Sequence, residues 1–99
     1  MIANAVVKVH AARALCEKAA FYRKENHPDA ITETVIAKYV TSKSAMEIAI
    51  DAVQVHGGNG CLNEFPVERL FREAKILEII EGTSQILQKI IAIYGLKNI

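Results

Sequence analysis

The sequence predicts an all-α fold, a bundle of helices with no sheet. Three observations carry that expectation. Apolar residues make up 52% of the 99 residues, and Ala, Ile and Val supply most of them. Gly and Pro number only 5 and 2, which favours long helices joined by few turns. Apolar positions recur at spacings of three and four over long stretches, the period of a helix face. A chain of this length forms one domain with a modest core, so residues 1–99 are read as a single helical domain.

The first helix is expected over residues 2–24. Ala5, Val9, Ala12, Cys16 and Ala19 make one stripe, and its small side chains let a neighbouring helix approach closely. Val6, Val7 and Phe21 lie off that stripe, so this helix needs more than one neighbour. His10 falls on the polar side. Residues 23–29 break the pattern, because Pro28 bars a continuous helix. His27 in that connection is expected to be exposed.

A second, longer helix is expected over residues 30–56, with Asp29 as its N-cap. Ile31, Val35, Tyr39, Ser42, Met46, Ala49 and Val53 form its stripe. Lys43 and Glu47 are placed to pair across one turn. Gly57 and Gly58 stop it. A third helix begins at Pro66 and covers 66–77, with Val67, Leu70, Phe71, Ala74 and Leu77 inward. The last helix follows Thr83, with Ile86, Ile90 and Ile93 inward and Leu87, Ile91 and Tyr94 beside them. Gly95 is placed to end it.

Composition sets bounds on function. A formal net charge of +1 gives no electrostatic case for nucleic acid, and no basic block suggests a membrane surface. No apolar run approaches the ~20 residues that span a bilayer. The N-terminus lacks a signal peptide's charged start and apolar stretch. Cys16 and Cys61 have no metal-ligand or CxxC spacing and read as free thiols in a reducing compartment.

Two stretches leave helical regularity and are the candidate sites. In Glu81-Gly82-Thr83-Ser84-Gln85 a carboxylate precedes a glycine and two hydroxyls, with isoleucines on both sides. A carboxylate facing an apolar space has a raised pKa, which suits it to take a proton from carbon. The alternative is a helix start capped by Thr83 or Ser84, with Glu81 in solvent. In Gln54-Val55-His56-Gly57-Gly58-Asn59-Gly60 three glycines fall in four positions. That suits a backbone passing close to a ligand, or equally a flexible loop. It is not a dinucleotide fingerprint, since no strand precedes it.

Taken with Pro66-Val67-Glu68-Arg69, Arg72 and Ala74-Lys75-Ile76, and in this order, these two stretches resemble the C-terminal helical domain of the acyl-CoA dehydrogenases. The likeness is dense from Ala45 to Ile91. It extends more loosely over 5–44, through Ala11-Ala12-Arg13-Ala14-Leu15 and Ala37-Lys38. Cys61 stands where an aromatic usually follows, and Ile86-Leu87-Gln88 where Ile-Gln-Arg is often seen.

The resemblance implies oxidation of acyl-CoA thioesters to the 2-enoyl form, with FAD as cofactor and an electron-transfer flavoprotein as oxidant. It implies Glu81 as the catalytic base and Gly82 against the thioester. Thr83, Ser84 and Gln85 would contact FAD. Gln54, Val55, His56, Gly57 and Gly58 would line its adenosine-diphosphate end, commonly that of a neighbouring subunit, so a homo-oligomer, dimer or tetramer, is implied. It places the protein in the cytoplasm of a prokaryote or the mitochondrial matrix of a eukaryote. It also implies that the first bundle helix, an N-terminal helical domain and a β-domain are missing, so that the isolated chain would be inactive. The alternative function is a non-catalytic, self-associating helical module.

Overall fold

The structure, a computed structural model, describes residues 1–98. They form four helices: α1 (Ile2–Lys24), α2 (Ala30–His56), α3 (Pro66–Leu77) and α4 (Ser84–Lys97), with one 3-10 turn over Gly57–Cys61. No strand occurs among the described residues. None of these helices is long and apolar enough to cross a membrane.

α1 forms because its 23 residues contain neither Gly nor Pro and are rich in alanine, the best helix former. It stops where Asn26 takes the left-handed conformation (φ 53°), which asparagine tolerates. The exposed connection is ordered by His27. Its ring stacks on Tyr22 with centroids 4.1 Å apart, and its Nδ1 accepts the Asp29 N–H at 3.0 Å.

α2 is the spine. Its backbone lies close to those of α1, α3 and α4, whereas the backbones of those three stay further from one another among the described residues. The α1–α2 seam is lined by alanines: Ala12, Ala19 and Ala37 are buried. Small side chains let the two axes approach closely along the seam. Two ion pairs bridge it, Lys8–Glu47 at 2.6 Å and Lys18–Glu33 at 3.2 Å. Glu33 is a buried carboxylate, so its partner matters more than an exposed pair would.

The helix bounds match the sequence expectation, but several faces do not. The packed side of α1 also carries Lys8 and Leu15; Val9 is exposed where it was expected inward, and Cys16, though exposed, faces α2 with its Sγ 3.5 Å from Thr41 Oγ1. Glu47 pairs with Lys8 rather than Lys43, whose ammonium lies over the Tyr39 ring at 5.9 Å. Ile31 is 74% exposed, at the open end of the seam. On α4 the inward residues are Leu87, Ile91 and Tyr94, while Ile86, Ile90 and Ile93 face out. With a neighbour on one side only, α4 buries one of its two apolar faces. Asp29 stands at the start of α2 without a side-chain cap bond, and α4 runs past Gly95 to Lys97.

The core is thin. Its buried apolar residues are Ala12, Ala19, Ala37, Val67, Ala74 and Leu87, and among the described residues no large side chain is fully enclosed. The accessible surface is 7002 Å². A folded monomer of 10.9 kDa exposes about 5,600 Å². The surplus is larger than the ~800 Å² that one partner buries in an ordinary interface. Much of it is apolar, including Val6, Val7 and Phe21 of α1 and the outer isoleucines of α4.

The ion pairs give the seam a pH window. The hydrogen bond from Lys8, the largest cause, holds the Glu47 carboxyl below its usual range. A depressed carboxyl stabilises the fold above its unfolded pKa, and that contribution is lost as pH falls through the folded value. The hydrogen bond from Glu33, the largest cause, raises Lys18. That contribution is present at neutral pH and is lost as pH rises through the folded lysine value. Lys8→Met is therefore expected to remove part of the acid-side loss of stability, while the Lys18–Glu33 contribution to the alkaline side persists. Denaturant midpoints measured across pH read both limbs.

Candidate functional site

Between α3 and α4 the chain makes a turn at which two successive residues have positive φ, Glu81 at 56° and Gly82 at 105°. Glycine accepts that region; a glutamate in it stores about 1–2 kcal/mol of strain. A Cβ on Gly82 would also meet Leu87 Cδ2 at 3.3 Å. The turn leaves α3 through Ile80 N–H to Ile76 O at 3.0 Å and enters α4 through Ser84 N–H to Glu78 O at 3.2 Å. Thr83 is the N-cap of α4, its Oγ1 accepting the Ile86 N–H at 3.3 Å. The Ser84 hydroxyl beside it is buried with no partner among the described residues.

Two α2 side chains hold this turn. Lys38 Nζ donates to Leu77 O at 2.6 Å and to Gly82 O at 3.1 Å, one carbonyl on each side of Glu81. Gln88 Nε2 donates to Tyr39 Oη at 2.8 Å. The sequence placed this lysine only in the Ala37-Lys38 likeness and gave it no role.

Glu81 lies at the edge of a cleft of about 500 Å³ between α1, α2 and the turn. Cys16, Ala19, Ala20, Leu77 and Ile80 give it apolar walls, and Arg23 and Lys38 are its two cations. The enclosure expected around the carboxylate is half built, because Glu81 itself is exposed.

The glycine loop is elsewhere. Gln54, Val55, His56, Gly57 and Gly58 are all exposed at the C-terminal end of α2. His56 is turned back on its helix, Nδ1 lying 2.9 Å from Ala52 O. The glycines have different reasons to be there. Gly57 ends α2 at φ 61°. Gly60 is buried, and a Cβ there would lie 2.7 Å from Val53 O. Gly58 has no positive φ and nothing within 4 Å of a Cβ, so this chain makes no demand for glycine there. Lys38 at the glutamate turn and His56 at the loop are separated by 18 helical residues, about 27 Å. The two predicted halves of the site therefore do not meet within one copy of the chain.

The family model for the acyl-CoA dehydrogenase C-terminal domain matches residues 1–94. The chain belongs to the acyl-CoA dehydrogenase family. It is 40% identical over 91 residues to a 3-(aryl)acrylate reductase of Clostridium sporogenes, covering 92% of this chain and 24% of that one. It is 40% identical over 92 residues to the caffeyl-CoA reductase-Etf complex subunit CarC of Acetobacterium woodii, covering 93% of this chain and 24% of that one. Among solved structures, butyryl-CoA dehydrogenase of Megasphaera elsdenii superposes with a TM-score of 0.85 at 39% identity, over 91% of this chain and 23% of that one. The chain thus spans about a quarter of the length of these relatives.

In this acyl-CoA dehydrogenase domain the strain at Glu81 predicts a trade. Glu81→Gly is expected to raise stability by about 1 kcal/mol by relieving the left-handed residue. Thermal unfolding checks it. In the glycine loop, Gly60→Ala is expected to cost about 1–3 kcal/mol through its clash with Val53. Gly58→Ala, at a position whose backbone conformation any residue adopts, is expected to raise stability by up to about 1 kcal/mol. Denaturant titrations of the two variants side by side test the difference.

Proposed function

We propose that this chain supplies the proton-transfer wall of an acyl-CoA oxidoreductase site, with Glu81 as the catalytic acid-base. One observation carries the reading. A glutamate is held in the left-handed conformation next to a glycine, between two anchored carbonyls, at the edge of an apolar-walled cleft. Strain retained at a clamped residue is a reason to look for function there.

In this reading the Glu81 carboxylate takes the proton from the carbon next to the thioester carbonyl. Gly82, without a side chain, lets the thioester lie against the backbone. FAD, when bound, supplies the acceptor for the hydride lost from the next carbon. The residues fit such a cofactor in two parts. Thr83, Ser84 and Gln85 lie beside the base at the start of α4, and the partnerless Ser84 hydroxyl is a polar atom there with unused capacity. Gln54, Val55, His56, Gly57 and Gly58 present exposed polar groups and open backbone about 27 Å away along α2. That separation supports a site shared between copies of the chain, as does the surplus surface. Reductases among the relatives support a site that also runs in the other direction, with Glu81 returning the proton to carbon. An electron-transfer flavoprotein fits as redox partner, since one relative belongs to an Etf complex.

The second reading is a self-associating helical module without chemistry. The thin alanine core and the exposed apolar faces favour it. The two readings part at the flavin. FAD titration of the 99-residue chain, with sedimentation of the same sample, is expected to give an oligomer that binds FAD weakly. An oligomer with no flavin affinity would mean that these residues alone form only the bundle and that the chemistry needs a longer protein. In an assembly that turns over acyl-CoA, Glu81→Gln is expected to lower kcat by about 10²–10⁴-fold with the flavin spectrum retained. Unchanged turnover would remove Glu81 from the mechanism.

A further inference from the structure

We infer that Lys38 is the positioning residue of the Glu81 turn, fixing the direction of the carboxylate from the spine of the fold. The inference rests on the proposed role of Glu81 for its functional meaning, and on hydrogen-bond geometry for its structural one. Leu77 closes α3, so its carbonyl is one of the last in a helix that no intrahelical N–H can reach. Gly82 follows the left-handed glutamate. One ammonium takes both oxygens, at 2.6 and 3.1 Å. Residues 78–81 are thereby closed into a loop whose two ends sit on a single cation.

The cation comes from α2, a 27-residue helix tied to α1 by the Lys8 and Lys18 ion pairs. Its position is therefore set independently of the turn it holds. A charged donor to a carbonyl is stronger than a neutral one. Without it, two carbonyl oxygens would be left close together with no donor between them. The relaxed answer is for Glu81 to leave positive φ, which turns its side chain away from the cleft. Tyr39, the next residue of α2, meets Gln88 beyond the turn and limits the motion of α4 but not of Glu81 itself.

The test compares Lys38→Met and Lys38→Arg in the 99-residue chain by NMR. The one-bond Cα–Hα coupling of Glu81 reports the sign of φ. Amide exchange at Ile80 and Ser84 reports the turn, and exchange within α1 reports the global fold. Lys38→Met is expected to move Glu81 to negative φ and speed exchange at Ile80 and Ser84 at least about tenfold, with α1 unchanged. Lys38→Arg, which keeps a cationic donor, is expected to restore most of both. Unchanged coupling in Lys38→Met, or equal loss of protection everywhere, would overturn the inference. Should Lys38→Met not fold, the wild-type ammonium decides: protons of Lys38 Nζ that exchange as fast as those of Lys89 rule the clamp out, and slowed exchange supports it.

In a turnover-competent assembly Lys38→Met is expected to lower kcat about 10- to 100-fold with KM little changed. Glu81→Gln in the same assembly separates the two ideas. If that variant keeps activity while the NMR responses stand, the clamp is right and the base assignment is wrong. If it loses activity while Lys38→Met keeps full kcat, the base is right and Lys38 does not position it.

Discussion

α2 is the element on which α1, α3 and α4 are all placed, and each attachment uses different chemistry. α1 is held by an alanine seam and two ion pairs. The turn into α4 is held by Lys38 and Tyr39. The loop after α2 folds back so that Gly60 lies against Val53. Only the 3-10 turn adds a second link, joining α2 to α3, so most joints depend on the stiffness of that axis.

The same arrangement explains the surface. The outer helices bury mainly the face turned to α2, yet they are apolar on more than one. The result is a chain whose side chains suit a larger body than it builds from these residues. Alanine seams suit such a part: they fix helix positions at short distance without a large core.

Much of this was legible from the residues. Pro28, Pro66, Thr83 and Gly57 act only locally, through φ, a missing N–H or a cap, so they mark helix ends in any surroundings. The order of the glutamate turn and the glycine loop was legible because motifs keep their spacing. The faces were harder. Periodicity says that Val9 and Lys8 lie on different sides of α1 but not which side meets α2, and there an ion pair to Glu47 decided. On α4 two apolar stripes compete, and Leu87 won because it fills the space beside Gly82. Lys38 was hidden for a different reason. Its partners are carbonyls of residues 39 and 44 positions away, and backbone acceptors leave no mark in a sequence.

The length of α2 has a mechanical consequence. A helix of 27 residues is about 40 Å long. It works as a lever with the glutamate turn attached towards one end and the glycine loop at the other. A kink of about 20° near its middle would swing one end by about 7 Å relative to the other. Both motifs would keep their local geometry while the distance between them changed. The straightness of α2 thus sets the spacing of the glutamate turn and the glycine loop, at residues that belong to neither.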